Sequence, residues 1–239
     1  MIIQAYPNPI DLSQPFPLGY SQWKDNGALS EIAGRSLLIT LMAIIGMGTW
    51  QRVAVRLDSP DPLSLLDTLG DLGAVAFAGT VCLLAVLRLQ PVRSASGLVP
   101  VVSALGGAFI LTAINYLPTS PIPEAVSSLG ILLLAAGNVA MVYCLIHLGR
   151  SFSVLPQARR LVSSGPYGLV RHPLYVAEAV ATIGMILLHL DWTVVSLGLL
   201  QFGLQLTRIH YEESVLTEAF PEYRDYARRV PRFFPRLRG

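Results

Sequence analysis

The sequence predicts an all-α fold: a polytopic integral membrane protein of about six transmembrane helices, with a short C-terminal helical hairpin and an interfacial amphipathic tail. Three observations carry this prediction. Of 239 residues, 53% are hydrophobic and only 13% charged, with a mean hydropathy of +0.55; a soluble domain carries about 25% charged residues, so a soluble globular class is excluded. Apolar runs at 33–51, 69–89, 97–117, 125–148, 173–190 and 192–209 meet or approach the roughly 20 helical residues that a bilayer core requires. The cations are also distributed by side. With the N-terminus in the cytoplasm, 15 of the 17 Lys and Arg residues fall inside and only Arg52 and Arg56 outside, near Asp58, Asp61 and Asp67, as the positive-inside rule expects.

Taken in order, residues 1–30 are rich in Pro, Gly and polar groups and read as an irregular arm. The arm has no basic segment ahead of an apolar core, so it is not a cleavable signal peptide. Residues 31–148 hold four spans. Ala74 with Ala78 and Ala104 with Ala108 recur at helical spacing and suit close helix packing. Asp71 fits the start of span two as a helix N-terminal acid. Asn115, Asn138, His147 and His189 read as packing or interfacial residues. Cys82 and Cys144 lie in apolar runs as small buried hydrophobes, and no CxxC or CxxH spacing suggests a metal site. The loop 118–124 carries no cation, as an outer loop should. Spans five and six are about 18 residues each and are joined through Leu190-Asp191-Trp192, an interfacial turn.

Residues 149–239 carry the chemistry. The stretch Leu161-Val-Ser-Ser-Gly-Pro-Tyr-Gly-Leu-Val-Arg-His-Pro-Leu-Tyr175 is polar and turn-rich between two apolar runs. Gly165-Pro166 makes a turn, and Pro173 is suited to the first position of a helix. Arg171 and His172 therefore stand at a helix N-terminus, where free N–H groups and the dipole favour an anionic ligand group. About 36 residues on comes Arg208-Ile-His-Tyr-Glu212-Glu213, with Arg208 and Glu212 on one helix face. The hairpin returns this cluster to the side of Arg171, His172 and Tyr175, and ionisable groups gathered where helices enter a membrane indicate function. The plainer alternatives are interfacial anchors for Arg171 and His172 and an i,i+4 ion pair for Arg208 and Glu212. Glu178 lies inside span five and must face protein or a cavity. The tail, Phe220 to Pro235, alternates aromatics with arginines and reads as a membrane-surface segment, not a nucleic-acid binder.

These residues resemble the isoprenylcysteine carboxyl methyltransferase family, a group that takes in phospholipid methyltransferase-like bacterial members. The resemblance rests on Leu161-Val162, Gly165-Pro-Tyr167, Arg171-His-Pro-Leu-Tyr175, Arg208, Glu212-Glu213, Leu216, Phe220, Glu222-Tyr223, Tyr226 and Val230-Pro231, and covers about 150–235. It implies a helical membrane methyltransferase using S-adenosylmethionine, with a lipophilic small molecule or lipid-modified acceptor arriving from the membrane. It further implies cofactor contacts for Leu161, Val162, Tyr167, His172, Pro173, Tyr175 and Glu212, with Arg159 and Arg160 covering the cofactor; Arg171 joins the cofactor set by its place at the helix N-terminus. Arg208 would face the acceptor, and Glu212 or Glu213 could take a proton from an amine, giving Arg208 and Glu213 as the catalytic pair. The sequence departs from the pattern at Phe220-Pro221, where Phe-Gly is usual. It departs again at Ala177-Glu178, where the eukaryotic carboxyl methyltransferases have Gly-Trp, so prenylcysteine is not implied as the acceptor. Two other classes stay open: an NADPH-dependent membrane reductase of the sterol-reductase type, which can share the Arg-His-Pro-x-Tyr element, and a non-enzymatic transporter or scaffold.

Overall fold

A computed structural model describes residues 20–57, 62–117 and 121–236. Its helices are α1 (Tyr20–Leu57), α2 (Pro62–Leu87), α3 (Leu98–Phe109), α4 (Glu124–Leu148), α5 (Pro173–Leu187), α6 (Trp192–Ala219) and α7 (Tyr223–Arg229). Three segments, Glu31–Leu57, Asp67–Leu87 and Glu124–Ser151, are long and apolar enough to cross a bilayer, while Leu98–Ile114 and Pro173–Leu187 are apolar but shorter. The first four expected runs and the hairpin are thus all helical, with fewer full-length spans than the six expected.

Several elements differ from expectation. Helix α1 begins at Tyr20, so the arm placed over 1–30 gives way to helix early. The prolines at 7, 9, 15 and 17 all precede it and none interrupts it, which leaves nothing to stop the helix of the first span running back. The earlier part of the arm, Asp58, Asp61 and residues 118–120 of the outer loop lie outside the described residues. The run 97–117 is α3 followed by a 3-10 segment, Ile110–Tyr116. Two short strands, β1 (Arg93–Ser94) and β2 (Gln157–Ala158), pair antiparallel, because the loops after α2 and α4 lie side by side and satisfy each other's backbone. Asp71 is not a helix-start acid: it lies well inside α2 and pairs with Arg52 at 3.1 Å and Arg56 at 2.5 Å. That contact joins α1 to α2 and explains the two outlying cations.

Helix α4 is central, with α2 and α5 against it; α1 packs on α2, and α3 on α6. The hairpin partners α5 and α6 are joined by a sharp turn in which Leu190 takes a positive φ of 42° and the Asp191 carboxylate caps α6 by accepting from Thr193 N–H at 2.7 Å. Yet α5 packs chiefly on α4, and glycines explain why. A Cβ on Gly184 would lie 2.6 Å from the Gly130 carbonyl oxygen and the Leu134 nitrogen, and one on Gly137 would lie 2.7 Å from the Ala181 nitrogen. The two helices therefore meet backbone to backbone, as small residues permit in membranes. Ala78 and Ala104 are buried as expected, but this α4–α5 seam is the tighter one. Replacing Gly184 or Gly137 by Ala should push the helices apart at a cost of about 1–3 kcal/mol, read as a lower melting temperature in detergent. Gly48→Ala, where nothing lies within 4 Å, should not lower it; equal melting of Gly184→Ala and wild type would refute the close approach.

Candidate functional site

The Arg-His-Pro segment is built as a helix start. Gly165 adopts φ +60°, and a Cβ there would meet the His147 ring at 2.2 Å, so only glycine makes this turn. It leads through a 3-10 turn, Gly165–Gly168, to His172, which precedes α5 with Pro173 at its first position and no side-chain cap. The first-turn N–H groups of α5 are thus left for another partner.

The end of α6 meets this start. The Tyr175 hydroxyl donates to Glu212 Oε1 at 2.5 Å, and Arg208 Nε donates to the same oxygen at 3.1 Å. Arg208 also donates to the Ser153 carbonyl at 3.2 Å and lies over the Tyr175 ring at 5.1 Å. Glu213, next along, faces a different set: His172 Nε2 at 3.1 Å, Arg171 at 3.2 Å and Arg232 at 2.5 Å. Burial by itself would raise the Glu213 carboxyl, but hydrogen bonds from His172 and Arg232 and the charge of Arg171 more than reverse this and hold it at about 2.

The tail completes the site from below. Arg171 N–H donates to the Pro231 carbonyl at 2.8 Å and His172 N–H to the Arg232 carbonyl at 3.1 Å. The Tyr226 hydroxyl donates to the Tyr167 carbonyl at 2.6 Å, and burial pushes this phenol up to about 12, so it stays a donor. Tyr223 and Tyr226 are buried; the tail aromatics expected at the membrane surface instead face the protein, although Phe234 is exposed. The hydrogen bonds from the Arg-His pair to 231–232 explain this, since they turn α7 inward.

A cavity opens where these parts converge, lined by Arg160, Leu161, Val162, Tyr167, Arg171, His172, Tyr175, Arg208 and Glu212, together with Leu174, Tyr223 and Tyr226. Most residues expected around the cofactor or in catalysis are thus brought together. Three are placed otherwise. Pro173 is buried at the start of α5 and is not in the lining. Arg159 borders the cavity, but its fully buried guanidinium is committed to Glu31 at 2.9 Å and to the Leu89 carbonyl. Glu213 lies outside the lining and is held ionised by three partners, which makes it a positioning residue and a poor proton acceptor. Tyr223, Tyr226 and the Ser153 carbonyl are site groups that the sequence does not single out; the tyrosines belong to the spaced motif, but an aromatic–arginine tail equally suits a membrane surface. The Tyr167 hydroxyl is buried with no hydrogen-bond partner among the described residues. Among those residues no group of three or more His, Cys, Asp or Glu is placed to hold a metal ion.

A second cavity, of about 190 Å³, lies among the helices and is walled mainly by apolar residues of α1, α2, α4 and α5, with Glu178, Thr182, Gln201 and Arg208 as its polar members. Leu174 and Arg208 border both cavities. A third, of about 310 Å³, opens between α1 and α3 and shares Leu38, Phe109 and Val154 with the second.

Residues 126–223 match the phospholipid methyltransferase family. The family resemblance expected from the two motifs is therefore borne out. Over 118 residues the chain is 36% identical to the nickel-cobalt-cadmium resistance protein NccN of Alcaligenes xylosoxydans xylosoxydans, covering 48% of this chain and 53% of that protein. It is 38% identical over 112 residues to the cobalt-zinc-cadmium resistance protein CzcN of Cupriavidus metallidurans, covering 46% and 49%. It is 30% identical over 117 residues to protein-S-isoprenylcysteine O-methyltransferase B of Arabidopsis thaliana, covering 46% and 59%. The chain thus spans about half the length of the curated relatives it matches.

The Glu213 node gives a pH-dependent expectation. Its carboxyl is depressed from 4.5 to about 2, so the stabilisation it supplies is whole above pH 4.5 and is lost as pH falls toward 2. Glu213→Gln should melt lower than wild type at pH 6, by about 1–2 kcal/mol after allowing for the solvent exposure of Arg232. The gap between the two should close as pH approaches 2–3; a constant gap would show that the carboxylate charge does not hold the tail.

Proposed function

We propose that the chain is an integral membrane methyltransferase that uses S-adenosylmethionine and methylates a lipophilic acceptor. The observation that carries this is the common wall: Arg208 and Leu174 separate a polar cavity at the helix ends from an apolar cavity within the bundle. That arrangement suits a water-soluble donor on one side and a membrane-dissolved acceptor on the other. The match of residues 126–223 to a methyltransferase family supports it.

The polar cavity fits the cofactor by its donor set. The uncapped first turn of α5 and His172 suit a carboxylate, the unpartnered Tyr167 hydroxyl has a hydrogen bond to give, and Glu212 suits an amino or ribose group. Leu161 and Val162 would supply apolar contact. The bound cofactor would supply an electrophilic methyl group on a sulfonium sulfur. What the chain supplies is position: Tyr175 and Arg208 fix Glu212 from two directions, and well-held reactants can gain roughly 7–11 kcal/mol toward the barrier. The cavity between α1 and α3 offers the acceptor a lateral path from the bilayer, because those two helices pack on different partners. The distribution of cations supports cytoplasmic N- and C-termini with the polar cavity at the cytoplasmic face.

Calorimetry on detergent-solubilised protein tests the reading. Wild type should bind S-adenosylmethionine, and Tyr167→Phe and Glu212→Gln should each weaken binding by about 10-fold or more, as loss of a buried hydrogen bond to a charged group implies. Absence of binding near millimolar cofactor, or preference for NADPH, would reject it, the latter in favour of a reductase.

A further inference from the structure

Glu178 is partly buried, ionisable and unused by the chemistry above. It sits in the second turn of α5 and lines the apolar cavity beyond Arg208. A carboxyl group carried into the apolar part of a membrane bundle is costly and is ordinarily functional. Its surroundings are built. Gln201 Nε2 donates to Glu178 Oε1 at 3.0 Å. The amide orientation of Gln201 is set by the Gly107 carbonyl, which its Nε2 faces at 3.5 Å, while the Thr182 hydroxyl lies 2.9 Å from both Gln201 Oε1 and the Glu178 backbone carbonyl. A flipped amide would set its oxygen against two acceptors. Thr182 and Gln201 are 2% and 1% exposed, so these two partners are shielded from water, while Glu178 itself is only partly buried. It presents Glu178 to the cavity as a hydrogen-bond acceptor.

Charge completes the picture. Arg208 is ion-paired with Glu212 and lines the same cavity as Glu178. With Glu178 ionised, one guanidinium shares its surroundings with two carboxylates, a sum of −1 that the single positive charge of a sulfonium donor would bring to zero. A neutral acceptor keeps that balance; a third carboxylate would upset it in a low-dielectric site.

We propose that Glu178 receives the proton of a protic nucleophile, an amine, thiol or hydroxyl on a lipophilic molecule, so that this chain methylates N–H, S–H or O–H groups and not carboxylates. The proposal rests on the methyltransferase reading. The nucleophile's lone pair forms the new bond to the methyl carbon as the sulfur–carbon bond breaks, the bonding pair leaves with sulfur as a neutral thioether, and the nucleophile's proton passes to the Glu178 carboxylate. Glu178 then returns the proton to solvent.

The test uses the full chain in lipid nanodiscs with S-adenosylmethionine labelled in its methyl group, total bacterial membrane lipid, and dodecylamine, dodecanethiol, dodecanol and dodecanoic acid as probe acceptors. Label should enter at least one protic probe or a lipid product that survives mild alkali, as N-, S- and O-methyl bonds do. Glu178→Gln, which is isosteric and still accepts from Gln201, should slow transfer by about 100-fold, within the usual range for a general base, with cofactor affinity changed less than threefold by calorimetry. In cofactor-free protein, the protic probe that is methylated should shift the melting temperature of wild type more than that of Glu178→Gln. The proposal is overturned by alkali-labile methyl ester as the main product, by a Glu178→Gln rate within threefold of wild type, or by transfer to no protic acceptor while the cofactor binds. Failure of wild type to bind the cofactor is a separate result that removes the methyltransferase reading itself.

Discussion

The carboxylate of Glu213 joins three segments that are far apart in the chain. From the end of α6 it reaches Arg171 and His172 ahead of α5 and Arg232 in the tail. Without that node the start of α5 and the end of α6 would meet at their mouth through the Tyr175–Glu212 hydrogen bond and the Arg208–Tyr175 ring contact, because α5 packs mainly on α4 and α6 on α3. The backbone bonds from 171 and 172 to 231 and 232 follow from the same alignment. Adjacent glutamates thus divide the work: Glu212 faces the cavity, and Glu213 behind it fixes the cations whose backbone forms the rim.

Arg208 is the second constraint. An arginine 6% exposed in a helix that runs into apolar surroundings must be satisfied locally. Glu212, the Ser153 carbonyl and the Tyr175 ring satisfy it. These partners come from α6 itself, from the loop after α4 and from α5, so one side chain ties together the elements that enclose the polar cavity while its other side borders the apolar one. The proposed division between a polar donor and a lipophilic acceptor depends on that position.

Much of this was legible in the sequence. Hydropathy located the helices, and the brevity of Leu190-Asp191-Trp192 implied that the second cluster returns beside the first. Side-chain commitment was not legible. Spacing cannot say that Glu212 turns to the cavity while Glu213 turns away, since neighbours on a helix differ by about 100° around its axis. Nor could composition show that Tyr223 and Tyr226 face inward, because an aromatic–arginine tail suits a membrane surface equally well. The α4–α5 seam is not legible in the sequence because Gly130, Gly137 and Gly184 lie on two helices, and only their register against each other brings them into contact.

Arg159 shows how the motif-free helices bear on the site. Its guanidinium leaves the cavity and joins Arg88 on Glu31, both at 2.9 Å, with Arg35 at 3.4 Å. Three cations around one carboxylate, largely out of water, form a costly arrangement that contributes little net stability. What it does contribute is position, since Arg159 directly precedes Arg160, Leu161 and Val162 in the cavity wall. The ion cluster, the Leu89 carbonyl and the β1–β2 pairing together fasten this loop to α1 and α2. The first two helices carry none of the spaced motif, yet they set where one wall of the cavity stands. A change at Glu31, which does not itself line this cavity, would therefore reach it through Arg159.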